Sequence, residues 1–134
     1  MKLGIVCAKF NEEITSRMKK AALKRAKELK IEVICVLEVP GAYDIPYACK
    51  LILDKKKVDG IATLGAVIKG DTDHDDLICR VCAQSLTNLS LEYKKPISLG
   101  IIGPGATEEQ ADKRTEEYAR RAVEAALAQY TLRA

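Results

Sequence analysis

The stretch GAVIKGDTDHDD, residues 65–76, holds the only histidine of the chain, His74, among the carboxylates of Asp71, Asp73, Asp75 and Asp76. An apolar run precedes it and a helical pattern follows. Gly70-Asp71-Thr72 therefore stands directly before a helix N-terminus, where backbone N–H groups and the helix dipole favour an anion such as phosphate. The Thr72 hydroxyl adds a donor. His74, in the first helical turn, is under opposing influences: the helix terminus disfavours imidazolium and the aspartates favour it. A lone imidazole beside an anion turn is placed for proton exchange.

Three more loops carry unusual residues. Phe10, the only phenylalanine, follows a strand-like run among polar neighbours. It either packs beneath the next helix or offers a planar platform to an aromatic ligand. Pro40-Gly41 sets a tight turn, after which the N–H groups of Ala42 and Tyr43 open a helix. Asp44, in that first turn, either complements the helix dipole or accepts hydrogen bonds from a polyol or ring nitrogens. Arg114, on the last helical segment, reads by itself as a solvated surface arginine.

The elements that must position these residues alternate along the chain. Residues 3–8 (LGIVCA) form a short apolar run, and helical spacing of Ile14, Met18, Ala22, Ala26 and Leu29 follows, with Asn11 as its N-cap. Residues 32–39 are a second strand and 41–53 a second helix, with Pro46 tolerable only in its first turn. Residues 58–68 are a third strand, followed by a helix from His74 to Tyr93. The fourth strand, 96–102, ends at the loop Gly103-Pro104-Gly105. Thr107 and Gln110 fit a capping box that opens the last helix, which no Gly or Pro interrupts as far as Gln129. Continuous apolar strands alternating with amphipathic helices mean a three-layer α/β/α, flavodoxin-like domain around a four-stranded parallel sheet. Ligands of such sheets bind beyond the carboxyl ends of the strands, where all four loops fall.

The bulk properties exclude several classes. At 134 residues the chain has single-domain length, residues 1–134 forming one unit, and 48% hydrophobic with 31% charged residues is ordinary globular composition. A net charge of +3, scattered over helix faces, does not read as nucleic-acid binding. No apolar stretch has the length of a membrane span, and only six apolar or small residues separate Lys2 from Lys9, so no signal peptide is read and a cytoplasmic location is expected. Five reduced cysteines follow from that location. Cys79 and Cys82 form a CxxC without a second pair, on the apolar stripe of a helix, and read as packing. The chain has no GxGxxG, no GxxxxGK[ST] and no GxSxG. A receiver domain would need an Asp where Leu64-Gly65 stand.

Taken together and in order, KFNEEIT, VPGAYDIP, LGAVIKGDTDHDD and EEQADKR resemble the 6,7-dimethyl-8-ribityllumazine synthase family, and GPG after the fourth strand resembles its archaeal branch. The resemblance runs from about Leu3 to Ala128. It implies riboflavin biosynthesis: 5-amino-6-(D-ribitylamino)uracil condenses with 3,4-dihydroxy-2-butanone 4-phosphate to the lumazine, phosphate and water. It implies no metal or organic cofactor. By motif, Phe10 would stack on the pyrimidine, Gly41, Ala42 and Tyr43 would line the pocket, and Asp44 would bind the ribityl chain. Val67 and Ile68 would present main-chain groups to the pyrimidine. Gly70, Asp71 and Thr72 would cradle the phosphate, and His74 would move protons. Arg114 would reach the same phosphate from a neighbouring subunit. The resemblance further implies a homopentamer, with an icosahedral assembly of pentamers left open, and small-molecule substrates as its other partners.

Two departures stand out. Leu99 occupies the position where many members contribute a phenylalanine across the subunit interface. Thr115-Glu116-Glu117-Tyr118 replaces a Gly-rich, lysine-bearing stretch after the phosphate arginine. The rival readings are an archaeal-type riboflavin synthase paralogue, whose reaction has no phosphate to bind, and an idle flavin-binding or shell-forming protein, which would not need His74 and Arg114.

Overall fold

The computed structural model describes residues 1–133. Strands β1 (Lys2–Ala8), β2 (Glu32–Val39), β3 (Gly60–Ile68) and β4 (Ile97–Ala106) form one parallel sheet in the order β2-β1-β3-β4. Helices α1 (Glu12–Glu28), α2 (Ile45–Lys55), α3 (His74–Tyr93) and α4 (Glu108–Thr131) connect and follow them.

Side-chain alternation along the strands divides the core in two. Leu3, Ile5 and Cys7 of β1, with Ala62, Leu64 and Ala66 of β3, face α1 and α4. Val6 and Ala8, with Ile61 of β3, face α2 and α3. The two inner strands are thus buried on both faces, which is why they read as unbroken apolar runs. Each fully buried Leu or Ile among them stabilises by about 1.5–3 kcal/mol. On the first face, Ala22, Ala26, Ala119, Ala122 and Ala126 are all buried, so α1 and α4 meet through small side chains. At the rim of that seam Arg17 bonds Asp112 and Glu116, and Arg25 bonds Glu124. The Arg17 hydrogen bonds hold the Glu116 carboxyl below its ordinary range.

The capping box of α4 is present in both halves: the Thr107 hydroxyl accepts from Gln110 N at 3.1 Å, and Gln110 Oε1 accepts from Thr107 N at 3.0 Å. Helix α4 is continuous over 24 residues.

Three local expectations change. Residues 42–44 form a 3-10 turn, and α2 proper begins at Ile45, which leaves Pro46 in its first turn. Asn11 occupies the N-cap of α1 in a left-handed conformation (φ 63°), yet its side chain makes no cap bond; it donates to Ala66 O at 2.8 Å instead. Gly103-Pro104-Gly105 is not a loop. Strand β4 runs through it to Ala106, which pairs with Ile68 after a register irregularity. The apolar pattern stops at Ile102, but backbone pairing needs no apolar side chain, so periodicity could not see the continuation. Gly103 (φ 122°) and Gly105 (φ 79°) supply conformations that side chains resist.

Candidate active site

The chain order reverses between β1 and β3, the interior neighbours of the sheet, and a ligand crevice belongs there in open α/β sheets. A pocket of about 180 Å³ opens beyond their carboxyl ends, lined by Phe10, Gly41, Ala42, Tyr43, Ala66, Val67, Ile68, His74 and Ile78. Three separate loops are fastened together to make it. Lys9 N donates to Val39 O and Phe10 N to Pro40 O, so β1–β2 pairing continues past both strands. The Asn11 amide reaches across to Ala66 O at the end of β3. From below, the Cys82 thiol donates to Ala42 O at 3.1 Å and holds the 3-10 turn against α3.

Phe10 is 71% exposed, so it does not pack beneath α1; its ring is offered to the pocket. Tyr43, 64% exposed, stands with it at the pocket wall. The Asp44 carboxylate accepts the Gly41 N–H at 2.9 Å and remains exposed, with acceptor capacity left for a hydroxyl. Val67 and Ile68 are half-buried.

Residues 70–74 are all exposed. A side chain added at Gly70 would meet nothing within 4 Å, so the turn is open to solvent on that side. The Thr72 hydroxyl oxygen accepts from His74 N at 3.3 Å, which leaves its proton free to donate outward. Asp73, at the N-cap of α3, makes no side-chain cap bond. The terminus thus keeps N–H groups for an anion, beside the imidazole that lines the pocket.

Two residues of the expected set lie apart within one chain. Leu99, on the edge strand β4 and 51% exposed, lines a separate depression with Arg80, Ile101 and Pro104. Arg114 is exposed on α4, which packs with α1 on the opposite face of the sheet from α3. Among the described residues it has no ion-pair partner, and it does not line the pocket.

Sequence reasoning missed Ile78 as a lining residue, although it lies one helical turn beyond His74 and shares its face. It also missed the Asn11 and Cys82 tethers, whose partners are carbonyls without a sequence signature. Burial raises the Cys79 thiol to about 11, with the charges of its neighbours adding to it, and burial likewise pushes Cys82 up. These thiols are packing groups and local donors rather than nucleophiles. Among the described residues no cluster of His, Cys, Asp and Glu has the makings of a metal site, and no helix is long and apolar enough to cross a membrane.

The arrangement can hold a flat, partly apolar ring against Phe10, place an anion at residues 70–72 and exchange protons between them. The profile of the 6,7-dimethyl-8-ribityllumazine synthase family matches residues 1–134. The chain belongs to that family. Among 6,7-dimethyl-8-ribityllumazine synthases similar to it, that of Saccharolobus solfataricus is 53% identical over 127 residues, 95% of this chain and 82% of the relative. That of Metallosphaera sedula is 54% identical over 127 residues, 95% of this chain and 84% of its own. The Staphylothermus marinus enzyme is 50% identical over 124 residues, 92% and 83% of the two chains. A lumazine synthase match spanning both cores and all four loops leaves no site element outside it.

Proposed function

We propose that the chain condenses 5-amino-6-(D-ribitylamino)uracil with 3,4-dihydroxy-2-butanone 4-phosphate to 6,7-dimethyl-8-ribityllumazine, releasing phosphate and water. One observation carries the reading: an aromatic-walled pocket shares His74 with a helix terminus whose N-cap side chain, Asp73, makes no cap bond, behind a Gly-Asp-Thr turn. Phe10 stacks on the pyrimidine, Gly41, Ala42 and Tyr43 wall it, and the main chain of Val67 and Ile68 reads its edge. Asp44 takes the ribityl hydroxyls. Gly70, Asp71 and Thr72 bind the phosphate of the second substrate through backbone N–H groups and the Thr72 hydroxyl. His74, between the two, moves protons as the imine forms and phosphate leaves. Holding both reactants side by side supplies much of the acceleration.

Arg114 and Leu99 come to the site from a neighbouring chain. The exposed Phe10 and Tyr43 at the pocket, and the exposed Leu99 on the edge strand away from it, support this, because large exposed apolar side chains mark surfaces that another surface covers. A head-to-tail contact that closes on itself makes a ring, here of five single-domain subunits.

The test is to supply purified protein with each substrate set. Lumazine should form from the pyrimidine and butanone phosphate, with inorganic phosphate raising the KM for butanone phosphate alone. Riboflavin formed from the lumazine instead would establish the paralogue's reaction, and no turnover of either would establish an idle scaffold. The Gly70–Thr72 turn argues against the paralogue, which has no phosphate to bind.

A further inference from the structure

The inward stripe of α3 is apolar except at its start. Asp75, adjacent to His74, is only 7% exposed, and its Oδ2 accepts the Gly105 N–H at 2.8 Å. A buried carboxylate is costly without such a partner, and an apolar side chain would pack there at less expense. What the carboxylate holds is the unusual continuation of β4. Nothing within 4 Å would meet a side chain at Gly105, so van der Waals packing does not fix that residue. Its neighbour Ala106 is bound on the other side, accepting from Lys69 N at 2.8 Å and pairing with Ile68. The strip 103–106 is therefore fastened at one point to the first turn of α3 and at another to Ile68–Lys69, the residues that lead into the Gly-Asp-Thr turn.

We propose that Asp75 is a positioning residue. By holding the Gly105 N–H it ties the end of β4 to α3, and through Ala106 it sets where Lys69 delivers Gly70–Thr72 relative to His74. It touches neither substrate. The inference rests on the reading of residues 70–72 as the phosphate site.

The experiment compares Asp75→Ala with Asp75→Asn in the assembled protein. The asparagine side-chain oxygen can accept the same N–H, so the conservative variant should rescue what alanine loses. Asp75→Ala should raise the KM for butanone phosphate about tenfold, the scale of one hydrogen bond to a charged group, and leave the KM for the pyrimidine unchanged. Amide exchange of the segment 103–106, followed by mass spectrometry, should quicken in Asp75→Ala and return to the wild-type rate in Asp75→Asn. The proposal is overturned if asparagine is as impaired as alanine, if only kcat or the pyrimidine KM moves, or if exchange in the alanine variant is unchanged. Should Asp75→Ala fail to fold, Asp75→Asn decides alone: wild-type constants and exchange support the tie, and loss of either removes it. Wild-type protein in which inorganic phosphate does not compete with butanone phosphate would instead overturn the site reading beneath it.

Discussion

His74 is the side chain whose loss separates chemistry from positioning, because it is the lining residue assigned to proton transfer while the others wall or hold the substrates. His74→Ala should lower kcat by roughly 10²–10⁴, the range of one acid–base group, while binding of both substrates survives. Steady-state kinetics with each substrate in turn would check this; an unchanged kcat removes the imidazole from the mechanism. At this scale the sequence was readable where a residue type is rare. One histidine among aspartates and one phenylalanine past a strand drew notice because composition made them conspicuous. Spacing alone left Phe10 open between packing and platform, and its exposure decided the matter. Asn11 was legible as a cap and is in fact a strut, because the carbonyl it serves is Ala66 O, fifty-five positions away in sequence.

At the scale of elements, the alternation of strand and helix was legible throughout, since buried parallel strands and amphipathic helices differ in period. The capping box of α4 is likewise a local motif and formed as written. The tail of β4 was not legible, because two glycines and a proline signal a loop wherever side chains alone are consulted. That tail makes a sharp stability prediction. A Cβ at Gly103 would lie 2.7 Å from Val67 O and 3.0 Å from Cys79 Sγ, and the residue has φ 122°. Gly103→Ala should destabilise by roughly 2–5 kcal/mol, combining backbone strain with overpacking. Gly70→Ala, with open space around it, should change stability by no more than about 0.5 kcal/mol. Denaturant midpoints of the two variants, compared at constant slope, would check the contrast.

For the whole molecule, the separation of Arg114 from the pocket within one chain has a measurable counterpart. If a site takes His74 from one subunit and Arg114 from the next, His74→Ala and Arg114→Ala proteins should complement after joint unfolding and reassembly. With random mixing about a quarter of the sites hold both wild-type groups, which follows from independent choice across a head-to-tail interface. Co-assembled rings, verified with differential tags, should therefore exceed the mean activity of the two parents. Activity no higher than that mean would confine the site to one chain. None of this was derivable from periodicity, which speaks of what faces a core and not of what faces a neighbour.

The amide of Asn11 spans from the end of β1 to a carbonyl at the end of β3, so the base of the crevice is bolted at one width before any molecule arrives. A slot held this way surrenders little motional freedom when filled, and that saving appears as affinity. It also chooses guests by outline, since a broader ring system cannot recruit a yielding floor to make room. Rigidity at that one strut becomes a filter on what the enzyme is able to mistake for its substrate.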